Sequence, residues 1–345
     1  MKSVTAALLA SATLFAAADA MAAPQVVVSI KPIHSLVAAV MEGVGEPKLI
    51  VEGAASPHTY TMKPSNARAI QDADLVFWIG PNMEAFLDKP LDALSKSATV
   101  VALGDAPGLQ KLPFREGGAF EAHDDGDEHE AHEAGDHGAE HAEAHDDHAG
   151  EDAHQHEAHE AHAEHGHAHS HEGFDTHMWL DPMNAKAMAK EIEAKLIAVD
   201  PENIAVYNKN TLALLKKIDA LDADLKATVE PVKDKPFVVF HDAYQYFEHR
   251  YDIRVAGSIT VSPETAPGAE RLSDIHKKLV ELGAACVFAE PQFTPKLIKV
   301  VTEGTKARAG VLDPEGASLK EGPELYFQLM HNLGNALNEC LSRDS

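Results

Sequence analysis

Fifteen of the 22 histidines in this 345-residue chain fall between Ala119 and Glu172, in AFEAHDDGDEHEAHEAGDHGAEHAEAHDDHAGEDAHQHEAHEAHAEHGHAHSHE. The same stretch carries 18 Asp or Glu and no Lys or Arg. Imidazole nitrogen and carboxylate oxygen are the ligands that suit zinc and its first-row neighbours, so the chemistry on offer is divalent-metal binding. A free imidazole titrates near about 6.5, so neutral ligands are plentiful at pH 7 and are lost in acid. The run has no fixed ligand spacing, almost no apolar anchor, and like charges that repel one another. Residues 118–172 are therefore expected to be a disordered insertion that binds zinc at several weak sites and gathers or buffers it, because ordering a flexible chain around each ion costs entropy. The plainer alternative is a solvating linker whose histidines are incidental.

Seven histidines lie elsewhere. His58 stands just past an apolar run, in GAASPHTYTMKPS, and His241 directly follows FVVF, in FVVFHDAYQYF. Glu290 closes ACVFAE and Asp313 follows AGVL, while His177 sits in FDTHMWLDP, between the acidic run and a helical pattern. In open parallel sheets ligands bind beyond the carboxyl ends of the strands, so His58, His241, Glu290 and Asp313 can face one cleft. Each also has a plain reading. A lone His at a strand end is usually a satisfied polar residue, and Glu290 and Asp313 can equally cap helices. His34, in SIKPIHS, competes as a ligand, whereas His249, His276 and His331 lie within helical patterns as surface or packing residues.

The elements that must position these groups alternate. Gln25–Ile30, Lys48–Val51, Asp74–Ile79 and Thr99–Leu103 read as buried strands: short, β-branched and bounded by turn residues. Helical patterns over Ile33–Glu42, Pro64–Ala73 and Met83–Ser95 separate them. After the insertion come helices over Met183–Ala198 and Glu202–Val229, the second opened by Pro201 and ended by Pro231. Its apolar positions are Ile204, Tyr207, Leu212, Leu215, Ile218, Leu221 and Leu225. A second series follows, with strands at Phe237–Phe240, Arg254–Ile259, Ala285–Glu290 and Ala309–Leu312 and helices at Gly268–Leu282, Thr294–Ala307 and Pro323–Leu341. The expected fold is α/β: two Rossmann-like lobes with parallel sheets, joined by one long helix. The first lobe takes residues 23–200, the linking helix 201–230 and the second lobe 231–345.

The N-terminus MKSVTAALLASATLFAAADAMAAP pairs one early Lys with an apolar core and a small-residue cleavage site. It reads as a secretory signal peptide over residues 1–22, cut after Ala22 with Ala23 as second choice, and is too short for a membrane span. No Cys lies near the cut to take a lipid anchor, and no later run spans a bilayer, so the expected product is soluble and exported. The formal charge is −26, of which residues 119–172 supply −18 and the rest −8. That remainder is ordinary, and the absence of a basic patch excludes a nucleic-acid partner. The two cysteines, Cys286 and Cys340, would most simply pair in an oxidising compartment; two separate buried thiols are the alternative, and no CxxC spacing supports metal ligation.

Six segments, SIKPIHSLVAAVMEGVG, GAASPHTYTMKPSNARAIQDADLVFWIGPNMEAFL, DTHMWLDPMNA, FVVFHDAYQYFEHRY, FAEPQFTPKLI and GVLDPEG, resemble the metal-binding periplasmic proteins of ABC importers, the cluster A-I group, and within it the ZnuA type. The similarity covers essentially the whole chain after the signal, and the acidic insertion lies where such proteins often carry one. The resemblance implies that His58, His177 and His241 are the metal ligands. It also places the two cysteines where a disulfide joins a strand to the last helix. Relatives that favour manganese have Glu at the position of His241, so a His there points to zinc, as does the preference of zinc for neutral imidazole. Some ZnuA-type proteins have an acidic residue just before the first His; here that position is Pro57, which cannot ligate. The fourth ligand implied is Asp313, with water as the alternative, and Glu290 would orient an imidazole through its free N–H.

The implied function is high-affinity capture of zinc in the periplasm, by a monomer, and delivery to an inner-membrane ABC permease with its cytoplasmic ATPase. Metal would bridge the lobes in the cleft, with small hinge movement about a stiff linking helix. Two rivals remain. A secreted zinc hydrolase would use three His and an activated water, but there is no HExxH motif and a carboxylate fourth ligand closes the site. A metal-buffering or adhesion protein would bind without transport.

Overall fold

The short apolar runs become two parallel sheets. In the computed structural model, which describes residues 23–115, 173–260, 263, 267–293 and 296–343, strands β1 (Val26–Val28), β2 (Lys48–Leu49), β3 (Leu75–Trp78) and β4 (Thr99–Ala102) pair in the order β2-β1-β3-β4. Strands β5 (Phe237–His241), β6 (Val255–Thr260), β7 (Cys286–Ala289) and β8 (Arg308–Val311) repeat that order as β6-β5-β7-β8. Every pairing is parallel. Strands β1, β3 and β5 are buried along their whole length, which is why their sequences run apolar without alternation. Strand order reverses between β1 and β3 and between β5 and β7, and these switch points open crevices beyond the strand ends. The expected signal peptide and the acidic insertion lie outside the described residues.

The helices are α1 (Lys31–Val40), α2 (Pro64–Gln71), α3 (Asp88–Leu94), α4 (Pro182–Val199), α5 (Ile204–Val229), α6 (Gln245–Tyr251), α7 (Ala269–Leu282), α8 (Lys296–Thr302) and α9 (Leu325–Ser342). Helix α3 is shorter than expected, with a 3-10 turn over Ala85–Leu87 before it. Pro90 is the reason: it has no N–H to bond a carbonyl four residues back, and a start at Asp88 puts it in the first turn, where none is needed. Helix α8 is also shorter, and Gly304, at φ +72°, turns the chain out of helical conformation. Helix α6, announced in the sequence only by the helical pattern around His249, is two turns long and closes on Asp252 at φ +53°.

Helix α4 starts where Asp181 accepts a hydrogen bond from Met183 N at 2.8 Å and Pro182 fills the first position. Helix α5 is the long one, 26 residues or about 39 Å at about 1.5 Å per residue. Its buried face is Tyr207, Thr211, Leu214, Ile218, Leu221, Leu225 and Val229, spaced by steps of three and four residues. Ile204 and Leu212, expected on that face, are exposed: Ile204 is the first residue of the helix, and Leu212 sits one position off the stripe.

Helix α9, last in the chain, packs against α1 and α5. Tyr326 N donates to Ser35 Oγ at 2.9 Å, and Gly334 lets the helices meet closely, since a Cβ there would stand 3.0 Å from Leu225 Cδ2 and push that side chain aside. One contiguous apolar core consequently runs from Val26 in the first sheet to Phe288 in the second and Leu341 in α9. A smaller core around Val238, Ile275, Val287 and Val301 lies under α7 and α8.

A disulfide joins Cys286 on β7 to Cys340 on α9, with Cα atoms 6.3 Å apart and a sequence separation of 54. It ties the second sheet to the helix that crosses back onto the first lobe. Closing a loop of this size stabilises by about 4 kcal/mol in the chain-entropy account. Replacing both cysteines with Ala is expected to cost about 2–5 kcal/mol in urea unfolding, and an unchanged midpoint would show that packing of α9 alone secures the second sheet.

Candidate metal centre

His241 is the last residue of β5 rather than the first beyond it, and pairs with Thr260 of β6. Glu290 follows β7 immediately, so the switch point between β5 and β7 sets the two side by side. His241 Nδ1 donates to Glu290 Oε1 at 2.7 Å. A carboxylate can only accept, so Nδ1 carries the hydrogen and Nε2 carries the lone pair. Both residues are buried, His241 to 3 % exposure and Glu290 to 3 %.

His177 is held the same way by a residue the sequence reading passed over. Its Nδ1 donates to Asp175 Oδ1 at 2.8 Å, and its backbone N donates to the same oxygen at 2.9 Å. The D-x-H spacing in FDTHMW was the available signal, because a carboxylate two residues before a His can bond both backbone and ring. The Trp179 ring, itself fully buried, packs 5.4 Å from the His177 ring. His58 sits in a 3-10 turn over Pro57–Thr59 at the half-exposed side of the group. Tyr60 braces that loop by donating to Ile50 O at 2.9 Å and to Asn66 Oδ1 at 3.2 Å.

These arrangements converge. One ring nitrogen from each of His58, His177 and His241 lies within 4.8 Å of the other two. The ring centroids are 5.5 Å apart for His58–His177, 5.8 Å for His58–His241 and 5.2 Å for His177–His241. The Nε2 atoms of His177 and His241 are 3.3 Å apart. A tetrahedral zinc with Zn–N of about 2.0–2.1 Å spaces its ligand nitrogens about 3.3 Å apart, so the pair already forms one edge of such a polyhedron. Two lone pairs facing each other at that distance repel unless a proton or a metal ion lies between them.

Asp313 and Glu290 are not part of that group of nitrogens. Asp313 follows β8, and its Oδ1 accepts from Gly316 N at 2.9 Å, Glu315 N at 3.2 Å and Gln292 Nε2 at 3.2 Å. His34 is also outside: it is buried in α1 with Nε2 3.0 Å from Pro47 O, and burial lowers its pKa. His249, His276 and His331 lie on α6, α7 and α9.

A network of buried acids and a phenol extends from Glu290 and Asp313. Glu84 accepts from Ser29 Oγ at 2.5 Å, Ile79 N at 3.1 Å and Gly80 N at 3.0 Å, and burial pushes it up to about 7. Glu315 is raised well above the usual carboxylate range, first by burial and then by the charges of Asp313, Glu84 and Glu290, with Lys31 opposing. The Tyr244 phenol is raised by burial, then by Glu290 and Asp313. None of these three residues stood out in the sequence, because a buried Glu or Tyr has no local pattern. Burial pulls the His241 pKa down, but Glu290, Asp242 and Asp175 outweigh it and leave the pKa above its ordinary 6.5.

The family model described as "ZnuA: Zinc-uptake complex component A periplasmic" matches residues 26–340. The chain belongs to that family. A ZnuA-family relative from Brucella suis biovar 1, named high-affinity zinc uptake system protein ZnuA, is 58% identical over 319 residues, 92% of each chain. Among solved structures, a crystal structure of ZnuA superposes with TM-score 0.69 at 21% identity, covering 92% of this chain and 99% of the other. A zinc-bound ZnuA deletion mutant lacking residues 138–173 in its own numbering superposes with TM-score 0.68 at 20% identity, covering 94% and 100%. At that identity the superpositions speak to the shared two-lobed fold.

The His241–Glu290 pair has its own test. In the metal-free protein, Glu290→Gln removes the charge that opposes burial, so the His241 pKa is expected to fall below 6.5 when followed by NMR. A pKa that stays elevated would show that Glu290 is not what holds the proton.

Proposed function

We propose that the protein captures zinc in the periplasm at His58, His177 and His241 and hands it to an inner-membrane ABC permease driven by a cytoplasmic ATPase. The observation that carries this reading is the 3.3 Å Nε2–Nε2 edge, with each imidazole turned inward by its own carboxylate. Three neutral nitrogens suit zinc better than manganese, which prefers oxygen. Family membership supplies the transport context, and the curated relative's name carries zinc uptake. The site binds rather than catalyses: it is shaped to hold an ion that must later leave. Export by the leader at residues 1–22 and a monomeric state belong to the same proposal. Among the described residues no helix is long and apolar enough to cross a membrane.

Zinc and protons compete for the same edge. The raised pKa of His241 means that its proton stabilises the metal-free protein below about pH 6.5, a contribution lost as pH rises through the elevated value. Zinc must displace that proton, so affinity falls as the medium turns acid. The lobes are tied as well as bridged: Trp179 Nε1 donates to Pro314 O and Tyr326 Oη to Trp179 O, each at 2.9 Å. Such ties favour small movement on binding, with release assisted by the permease.

Competitive zinc titration of the full chain is expected to show one tight site and several weaker ones. His58→Ala, His177→Ala or His241→Ala should abolish the tight site, whereas deleting 119–172 should remove only the weak ones. Loss of the tight site with that deletion would refute the division of labour. Asp313 is the proposed fourth ligand, through the oxygen its loop bonds do not use. Asp313→Ala is expected to weaken the tight site, and an affinity equal to wild type would assign the fourth position to water.

A further inference from the structure

The chain enters and leaves the acidic segment through a narrow neck. Pro113 and Phe174 form an antiparallel bridge, Asp175 N donates to Leu112 O at 2.9 Å and Phe114 N to Gly173 O at 3.3 Å. Two residues past this neck lies His177. The neck belongs to the first lobe, yet it is gripped by α6 and the turn before it, from the second lobe. Tyr246 Oη donates to Asp175 O at 2.8 Å and accepts from Leu112 N at 3.1 Å, and Gln245 Nε2 donates to Pro113 O at 3.0 Å.

Arg115 makes the strongest of these ties. Its Nε donates to Asp242 Oδ2 at 3.1 Å, its Nη1 to Glu248 Oε2 and its Nη2 to Glu248 Oε1, both at 2.8 Å; Nη2 also bonds Asp242 Oδ1. The planar guanidinium is the one side chain whose fork can serve two carboxylates at once. The three side chains are 21 %, 11 % and 10 % exposed for Arg115, Asp242 and Glu248, so the pair of acids is mostly removed from water and depends on the cation between them. Asp242 is the residue after His241.

We propose that Arg115 is an inter-lobe latch that positions the metal edge. By pinning the neck that carries Asp175 and His177 to the acids beside His241, it holds the two Nε2 atoms at their separation and sets how slowly bound zinc leaves. The inference rests on the zinc reading of the three histidines. With the edge formed before the ion arrives, entry needs no rearrangement. Departure requires the two imidazoles to part, and the latch opposes that, so its effect falls on dissociation.

The test is stopped-flow transfer of zinc to a chelator from the protein with its acidic segment in place, where the slowest phase reports the cleft. Arg115→Ala is expected to speed that phase about tenfold or more, as for other residues that hold metal ligands through a neighbour. Arg115→Lys should fall between, since an ammonium cannot fork to both acids. The visible spectrum of the cobalt-loaded Arg115→Ala protein should lose its tetrahedral signature, which a merely structural role would leave intact. Arg250→Ala is the comparator: it cuts a similar fork, from α6 to Asp222 on α5, and should lower the melting temperature without changing the slow phase. A wild-type slow phase in Arg115→Ala, or equal acceleration in Arg250→Ala, overturns the latch. His58→Ala separates the two layers of argument. A slow phase that survives it overturns the site reading and the latch together. A slow phase that vanishes with it but ignores Arg115 overturns the latch alone.

Discussion

Two imidazole nitrogens that face each other across 3.3 Å cannot both keep bare lone pairs, and much of the structure exists to hold them there. Each ring would turn away if free to do so. Asp175 and Glu290 prevent it by fixing the opposite nitrogen of each ring, and both acids are buried where their charge is little screened. The resulting arrangement is frustrated until a positive charge enters. A proton does so weakly, and an ion with tetrahedral preference does so better. On the proposed zinc reading, affinity would come partly from what the metal-free state lacks, a form of preorganisation in which the protein bears the cost of orienting ligands during folding.

That strain must be anchored, and the fold supplies anchors of three kinds. Parallel strands deliver His241 and Glu290 from neighbouring strand ends, where a switch in strand order leaves room for a ligand. A contiguous apolar core and a helix that returns from the second lobe to the first keep the halves in register. Carboxylate–guanidinium forks add polar ties, from Arg115 in the irregular neck and from Arg250 between α6 and α5. The ordering runs from sheet to core to polar ties, and each tier limits how far the next can drift.

The fold was legible where it rests on local rules. Short β-branched runs between turn residues gave both sheets, and Pro201 and Pro231 bracketed the long helix. Exact boundaries were less legible, because Pro90 and Gly304 act through single hydrogen bonds or a single φ. The exposed face of α5 was misplaced at Ile204 and Leu212, since counting apolar residues does not say which stripe is pressed against the core. At the site, the histidines looked weak one at a time and gained meaning only through the resemblance. Their supporting acids were less visible still. Asp175 has a readable spacing, but Glu290 meets His241 across 49 residues, and Arg115 meets its two acids across more than a hundred. Burial creates their chemistry, and burial is a property of the folded chain.

The bridge between Pro113 and Phe174 has one more consequence. It fixes the distance between the points where the chain departs and returns, whatever lies between. The entropic cost of closing a loop grows only logarithmically with its length, by about 0.6 kcal/mol for each doubling. The cleft is therefore indifferent to the number of residues inserted there. That connection can be lengthened, shortened or rewritten, with histidines added or removed one by one, without moving the bridge that closes it.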